Sequence, residues 1–223
     1  MENINLKQTI KYILFIIIFF RLGNLVFISL LGAMNIQVNY VYYLASEIIF
    51  YLMPTYYLLR KKKITLKRDL KIVKIPIKMY IHLIILAILF QPITHGLITL
   101  LSELLNDHSI QNYKYSFSTF IYSMITGAMI TPLVEEICFR GLLFQKTKHI
   151  GIYKSILING IIFGLIHQNV IVFSFTFLFG MLCCYVFYTS KSLIAPIFLH
   201  AMYNALQSIP DNKHTGSLLS IYQ

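Results

Sequence analysis

Glu135 and Glu136 stand side by side in the stretch EEICFRGLLF, at the end of a long apolar run, with Arg140 four residues after the second. An ionisable group in such surroundings costs roughly 2.5 to 3.5 kcal/mol to insert in a membrane, so it needs a partner or a function. Glu136 and Arg140 share one helical face in the acid-before-base order that favours pairing. Glu135 is turned about 100° away and is the less neutralised carboxylate. The spacing therefore divides the labour: Glu136 and Arg140 form a positioning pair, and Glu135 is the candidate general base.

Three further polar side chains sit in apolar runs downstream: His167, and His200 with Asn204 four residues later on the same helical face. Counted from the nearest basic residues at 1.5 Å per residue, Glu135, His167, His200 and Asn204 lie roughly 16, 20, 14 and 20 Å deep. Three helices thus bring Glu, His, His and Asn to one level. Such a set can hydrolyse a peptide bond in either of two ways. The histidines and asparagine can donate to a developing oxyanion, or Glu135, His167 and His200 can ligate a divalent metal such as zinc. Residue spacing does not choose between them.

The elements that must position these groups are membrane helices. The chain has 223 residues, 57% hydrophobic and 12% charged. Its uncharged stretches cover residues 22–46, 79–102, 115–134, 155–190 and 192–210, most of them long enough for the ~20 residues of a bilayer crossing. The fourth would form a helix of roughly 54 Å and must fold as a hairpin, with His167, Gln168 and Asn169 at its turn. The fold class is all-α: a polytopic transmembrane helical bundle of about seven spans, near residues 9–31, 40–59, 79–101, 118–146, 152–168, 170–189 and 192–209. Residues 1–117 hold spans one to three and a basic loop at 60–78, residues 118–209 form the catalytic core, and 210–223 are a short tail.

The net charge of +11 does not indicate nucleic acid, because nine of the nineteen Lys and Arg residues crowd into the loop from Arg60 to Lys78. With that loop inside, fifteen fall on the cytoplasmic side and the N-terminus is cytoplasmic too, as the positive-inside rule requires. The partners expected are the lipid bilayer and a membrane-associated peptide or protein. The apolar N-terminal run reads as a retained span rather than a removed signal peptide. Arg21 and Glu47, in spans one and two, are expected to form a structural ion pair, with a polar cavity lining as the other reading. Pro132 removes a backbone hydrogen bond just before Glu135, leaving a carbonyl free and a local kink. The three cysteines, Cys138, Cys183 and Cys184, suggest neither a disulfide framework nor a zinc pattern.

Together these motifs resemble the CAAX-processing and bacteriocin-processing (CPBP, or Abi) membrane endopeptidases, which include the type II CAAX prenyl endopeptidases. Glu135, Glu136 and Arg140, followed by Gly141, match the first family motif. Phe163 with His167 matches the second, and His200 with Asn204 in APIFLHAMYNAL the third. The resemblance covers residues 118 to 209 and implies an intramembrane endopeptidase in which a glutamate activates water and the His and Asn residues stabilise the transition state or bind metal. The abundance of Ile, Lys, Asn and Tyr points to a bacterium and so to a multi-pass protein of its plasma membrane, whereas the resemblance does not fix the substrate, expected to be a membrane-associated protein or peptide precursor. Two other classes compete with this reading, a non-catalytic immunity or scaffold protein and a proton-coupled transporter; internal repeats and paired broken helices, the mark of many transporters, are absent from the sequence.

Overall fold

The computed structural model describes residues 6–36, 40–107, 117–167 and 169–209. They form seven helical segments and, among the described residues, no strand. Helix α1 is Leu6–Ala33; α2 covers 40–61 and contains a π turn at Ile48–Leu52; α3 is Ile77–Leu105. Helix α4 covers 117–147 and widens twice into π geometry, at Thr126–Ile130 and Ile137–Phe144. Helices α5, α6 and α7 are Ile152–Leu165, Val170–Ser190 and Ile194–Gln207. The seven segments fall where the apolar stretches predict them. Four of them, α1, α3, α4 and α6, are long and apolar enough to cross a membrane. Helices α5 and α7 have only 14 residues each, or roughly 21 Å of rise. The tail at 210–223 lies outside the described residues.

Apolar exposure follows a bilayer rather than a water-soluble plan. Leu14, Phe15, Leu22, Leu25 and Val26 of α1 are more than half exposed, as befits a helix facing lipid. Phe139, Phe144, Phe163, Phe179, Leu193 and Leu199, from α4 to α7, are fully buried. The core therefore sits in the C-terminal half of the chain.

The α5–α6 hairpin turns where the sequence places it. Asn169 caps α6, its side-chain oxygen accepting from the backbone N–H groups of Ile171 and Val172 at 2.8 and 3.0 Å. Glycines then let the two helices touch. A Cβ on Gly160 would come within 2.5 Å of Met181 Cγ and 3.0 Å of the Phe177 carbonyl oxygen, and one on Gly180 within 3.2 Å of Gly160 Cα. Small residues at the contact allow this approach between membrane helices.

The basic loop between α2 and α3 is more than an orientation signal. Asp69 closes a turn by accepting from the Thr65 N–H at 2.8 Å and the Thr65 hydroxyl at 2.6 Å. Its carbonyl accepts from Gln145 Nε2 of α4 at 2.7 Å. The Leu193 N–H, at the start of α7, donates to the Lys71 carbonyl at 3.0 Å, and the Ser192 hydroxyl donates to that of Val73. Leu70 is fully buried, and a Cβ on Gly141 would meet its Cδ2 at 3.0 Å. The loop is thus a folded floor under the ends of α4 and α7.

Candidate active site

Glu135 and Glu136 lie between the two π turns of α4, where wide turns are frequent at functional sites. Both are buried. Arg140 Nη1 donates to Glu136 Oε1 at 2.8 Å, the expected pair at positions four apart. Its Nη2 donates to the Gly180 carbonyl at 2.9 Å, and its guanidinium stands 4.5 Å from the centre of the Phe163 ring. A buried cation is tolerable only with this much compensation. The glycine contact in the hairpin brings the Gly180 backbone within reach of Arg140.

His200 enters from α7. Its Nδ1 lies 2.9 Å from Glu136 Oε1, and because a carboxylate only accepts, Nδ1–H is the donor. The second ring nitrogen, Nε2, then faces Glu135 Oε2 at 3.9 Å, beyond direct hydrogen-bond length. Glu136 thus orients both Arg140 and His200, and His200 turns its remaining lone pair toward Glu135. The rings of Phe163 and Phe179 hold the imidazole edge-on, at 5.9 and 5.1 Å.

His167 sits in the turn after α5. Its Nδ1 donates to the Phe163 carbonyl at 2.7 Å, and its ring contacts Phe163 at 5.2 Å. The same phenylalanine therefore touches both histidines. Asn204 is buried and donates through Nδ2 to the carbonyl of Gly127 at 2.7 Å. Helix α7 itself is tied to α3, where Thr94 and Tyr203 share a hydroxyl–hydroxyl bond of 2.8 Å.

Two contacts go beyond the sequence reading. Tyr51, in the π turn of α2, is buried and donates its hydroxyl to Glu135 Oε1 at 3.4 Å. No spacing rule marks a lone tyrosine in one apolar run as the neighbour of a glutamate 84 residues away. Arg21 donates to the Ile166 carbonyl at 3.4 Å, reaching the end of α5 beside His167. The expected partner, Glu47, has its side chain outside the described residues.

A catalytic zinc site takes three protein ligands and an open position. Among the described residues no three His, Cys, Asp or Glu side chains are grouped to hold a metal ion. Glu135 and His200 face each other as two donors, short of the three that such a site takes. This donor set does not fit such a site.

The helical bundle and its buried Glu–Glu–Arg–His cluster define an all-α membrane protein with an ionisable cluster inside its core. Residues 116–206 match the family model described as type II CAAX prenyl endopeptidase Rce1-like. Residues 116–206 are thus similar to an Rce1-like domain, in agreement with the motif resemblance. No curated protein and no solved structure gave a match to the chain.

Proposed function

We propose that the protein is an intramembrane endopeptidase that hydrolyses a peptide bond of a membrane-associated protein or peptide precursor, with Glu135 as general base. The observation that carries this reading is the facing pair of Glu135 Oε2 and His200 Nε2, 3.9 Å apart, each held from behind. Tyr51 holds the carboxylate, and Glu136 holds the imidazole. A water between them gives one hydrogen to each and aims its lone pair at a scissile carbonyl. Its oxygen bonds to the carbonyl carbon as Glu135 takes the proton. The C–N bond then breaks, and Glu135 returns that proton to the leaving amine. His200 accepts the water's second hydrogen through Nε2 and so fixes its orientation. Glu136 and Arg140 fix the tautomer and direction of His200, and His167 borders the same space through Phe163.

The same reading sets the protein in a bacterial plasma membrane with the basic loop and N-terminus in the cytoplasm, supported by the one-sided distribution of Lys and Arg. Its test is a comparison of membrane-bound and secreted peptides from cells carrying wild type, Glu135→Ala and His200→Ala. Specific products should vanish in both variants while each still inserts, a loss of at least about 100-fold for the base. Normal processing by both variants would end this reading.

A further inference from the structure

An apolar groove runs between the start of α3 and the end of α6. It holds about 380 Å³ and is walled by Pro76, Met79, Leu83 and Leu86 on one side and by Val186 and Ser190 on the other. Lys78, His82 and Thr189 are exposed along its rim, so the groove opens on the perimeter of the bundle.

The mouth of this groove is cationic. The segment leading into α3 crosses the α6–α7 connection, with the Leu193 N–H donating to the Lys71 carbonyl at 3.0 Å and the Ser192 hydroxyl to that of Val73. The crossing sets Lys71 beside the turn that holds Lys191, and Lys191 directly follows Ser190 of the groove wall. Gln145 Nε2, on the Asp69 carbonyl at 2.7 Å, brings the end of α4 and with it Lys148 to the same place. Burial, and then the charges of Lys148 and Lys191, hold the Lys71 ammonium below the ordinary lysine range, so the three cations are near enough to repel one another. No carboxylate among the described residues forms an ion pair with any of them. Asp69, the carboxylate of this loop, is bound by Thr65 and Arg68.

We propose that this groove binds an anionic phospholipid, one acyl chain lying between α3 and α6 and the phosphate among Lys71, Lys148 and Lys191. A zwitterionic lipid fills the groove but brings no net charge to the cations, and a free phosphate does the reverse. An anionic amphiphile answers both. Its headgroup then ties the loop floor to the end of α4 and the start of α7, the helices that carry Glu135 and His200. The proposal does not depend on the catalytic reading.

The test is native mass spectrometry of the full chain in detergent, with phosphatidylglycerol and phosphatidylcholine of identical acyl chains supplied in equal amounts. Phosphatidylglycerol should be retained at least about fivefold more, the worth of one lysine beside an anionic headgroup. Lys71→Gln with Lys191→Gln should abolish that preference. Lys61→Gln with Lys67→Gln, which removes two exposed charges from the same loop, should leave it intact. Leu86→Trp fills the groove and should lower retention of both lipids about tenfold, the loss of two buried methylenes. Equal retention of the two lipids, or equal loss in the two lysine pairs, overturns the proposal. Undiminished phosphatidylglycerol in Leu86→Trp overturns it too, by putting the lipid elsewhere on the surface. Inorganic phosphate separates the sources: the lipid should stay bound in its presence, and complete displacement assigns the cluster to a free anion instead. Should the Lys71 and Lys191 pair fail to fold, Lys148→Gln with Lys191→Gln takes its place and is read the same way.

Discussion

Arg140 and His200, from different helices, meet at a single atom. Glu136 Oε1 accepts from Arg140 Nη1 at 2.8 Å and from His200 Nδ1 at 2.9 Å, all three groups being buried. Glu136 is therefore a junction rather than one half of an ion pair. Its charge is answered by Arg140, and its direction decides which imidazole nitrogen faces Glu135.

Removing the cation should cost more than any other single change at the junction. Arg140→Met leaves Glu136 buried without its counter-charge, a loss of about 3–5 kcal/mol for a broken buried pair. Arg140→Lys should recover little, because one ammonium lacks the planar fork that bonds Glu136 and the Gly180 carbonyl together. Unfolding in detergent, followed by the retention of helical signal, checks both.

Tyr51→Phe keeps the ring and deletes the hydroxyl that reaches Glu135 Oε1. The expected result is a fall of about fivefold in kcat with insertion and melting nearly unchanged, the scale of one modest hydrogen bond. Peptide hydrolysis by purified Tyr51→Phe beside wild type measures it. Unaltered turnover would show that α2 contributes no more than packing to the centre.

The loop floor should weaken in acid. The Asp69 carboxyl is held well below the usual carboxylate range, first by its hydrogen bonds to Arg68 and then by those to Thr65. A depressed value means that the ionised form stabilises the fold. That contribution is complete above the unfolded-state value of about 4 and declines as pH falls below it toward the folded value. Asp69→Asn should melt lower than wild type at pH 7, with the gap shrinking between about pH 4 and 2. Much of the Arg68 part is screened at the exposed guanidinium, so high salt should leave the share contributed by Thr65.

Much of the centre was legible because depth and helical phase are properties of a sequence. Counting rise from the basic residues puts Glu135 and His200 at one level, and they face each other. The four-residue interval gives the Glu136–Arg140 bond. Partners across helices were not legible. Whether His200 turns to Glu136 or Glu135, and whether Asn204 faces the reacting centre or a backbone carbonyl, depends on helix rotation. The π turns alter that rotation, and hydropathy carries no trace of it. Tyr51 and the Arg21–Ile166 contact escape for the same reason. The loop at 60–78 read as charge, whereas its buried Leu70 and its bonds to Gln145 and Leu193 are tertiary facts.

The wide turns before and after the two acids carry one last consequence. A π turn is in effect an α turn with one residue inserted, and the wide turn absorbs the extra residue without redirecting the helix on either side. Losing a single residue between 126 and 130 would close it to an ordinary α turn while Glu135 and Glu136 kept their direction toward α7. The insertion therefore changes which backbone groups are paired in this part of α4, and the acids tolerate a change of chain length there that they would not tolerate within a regular α turn.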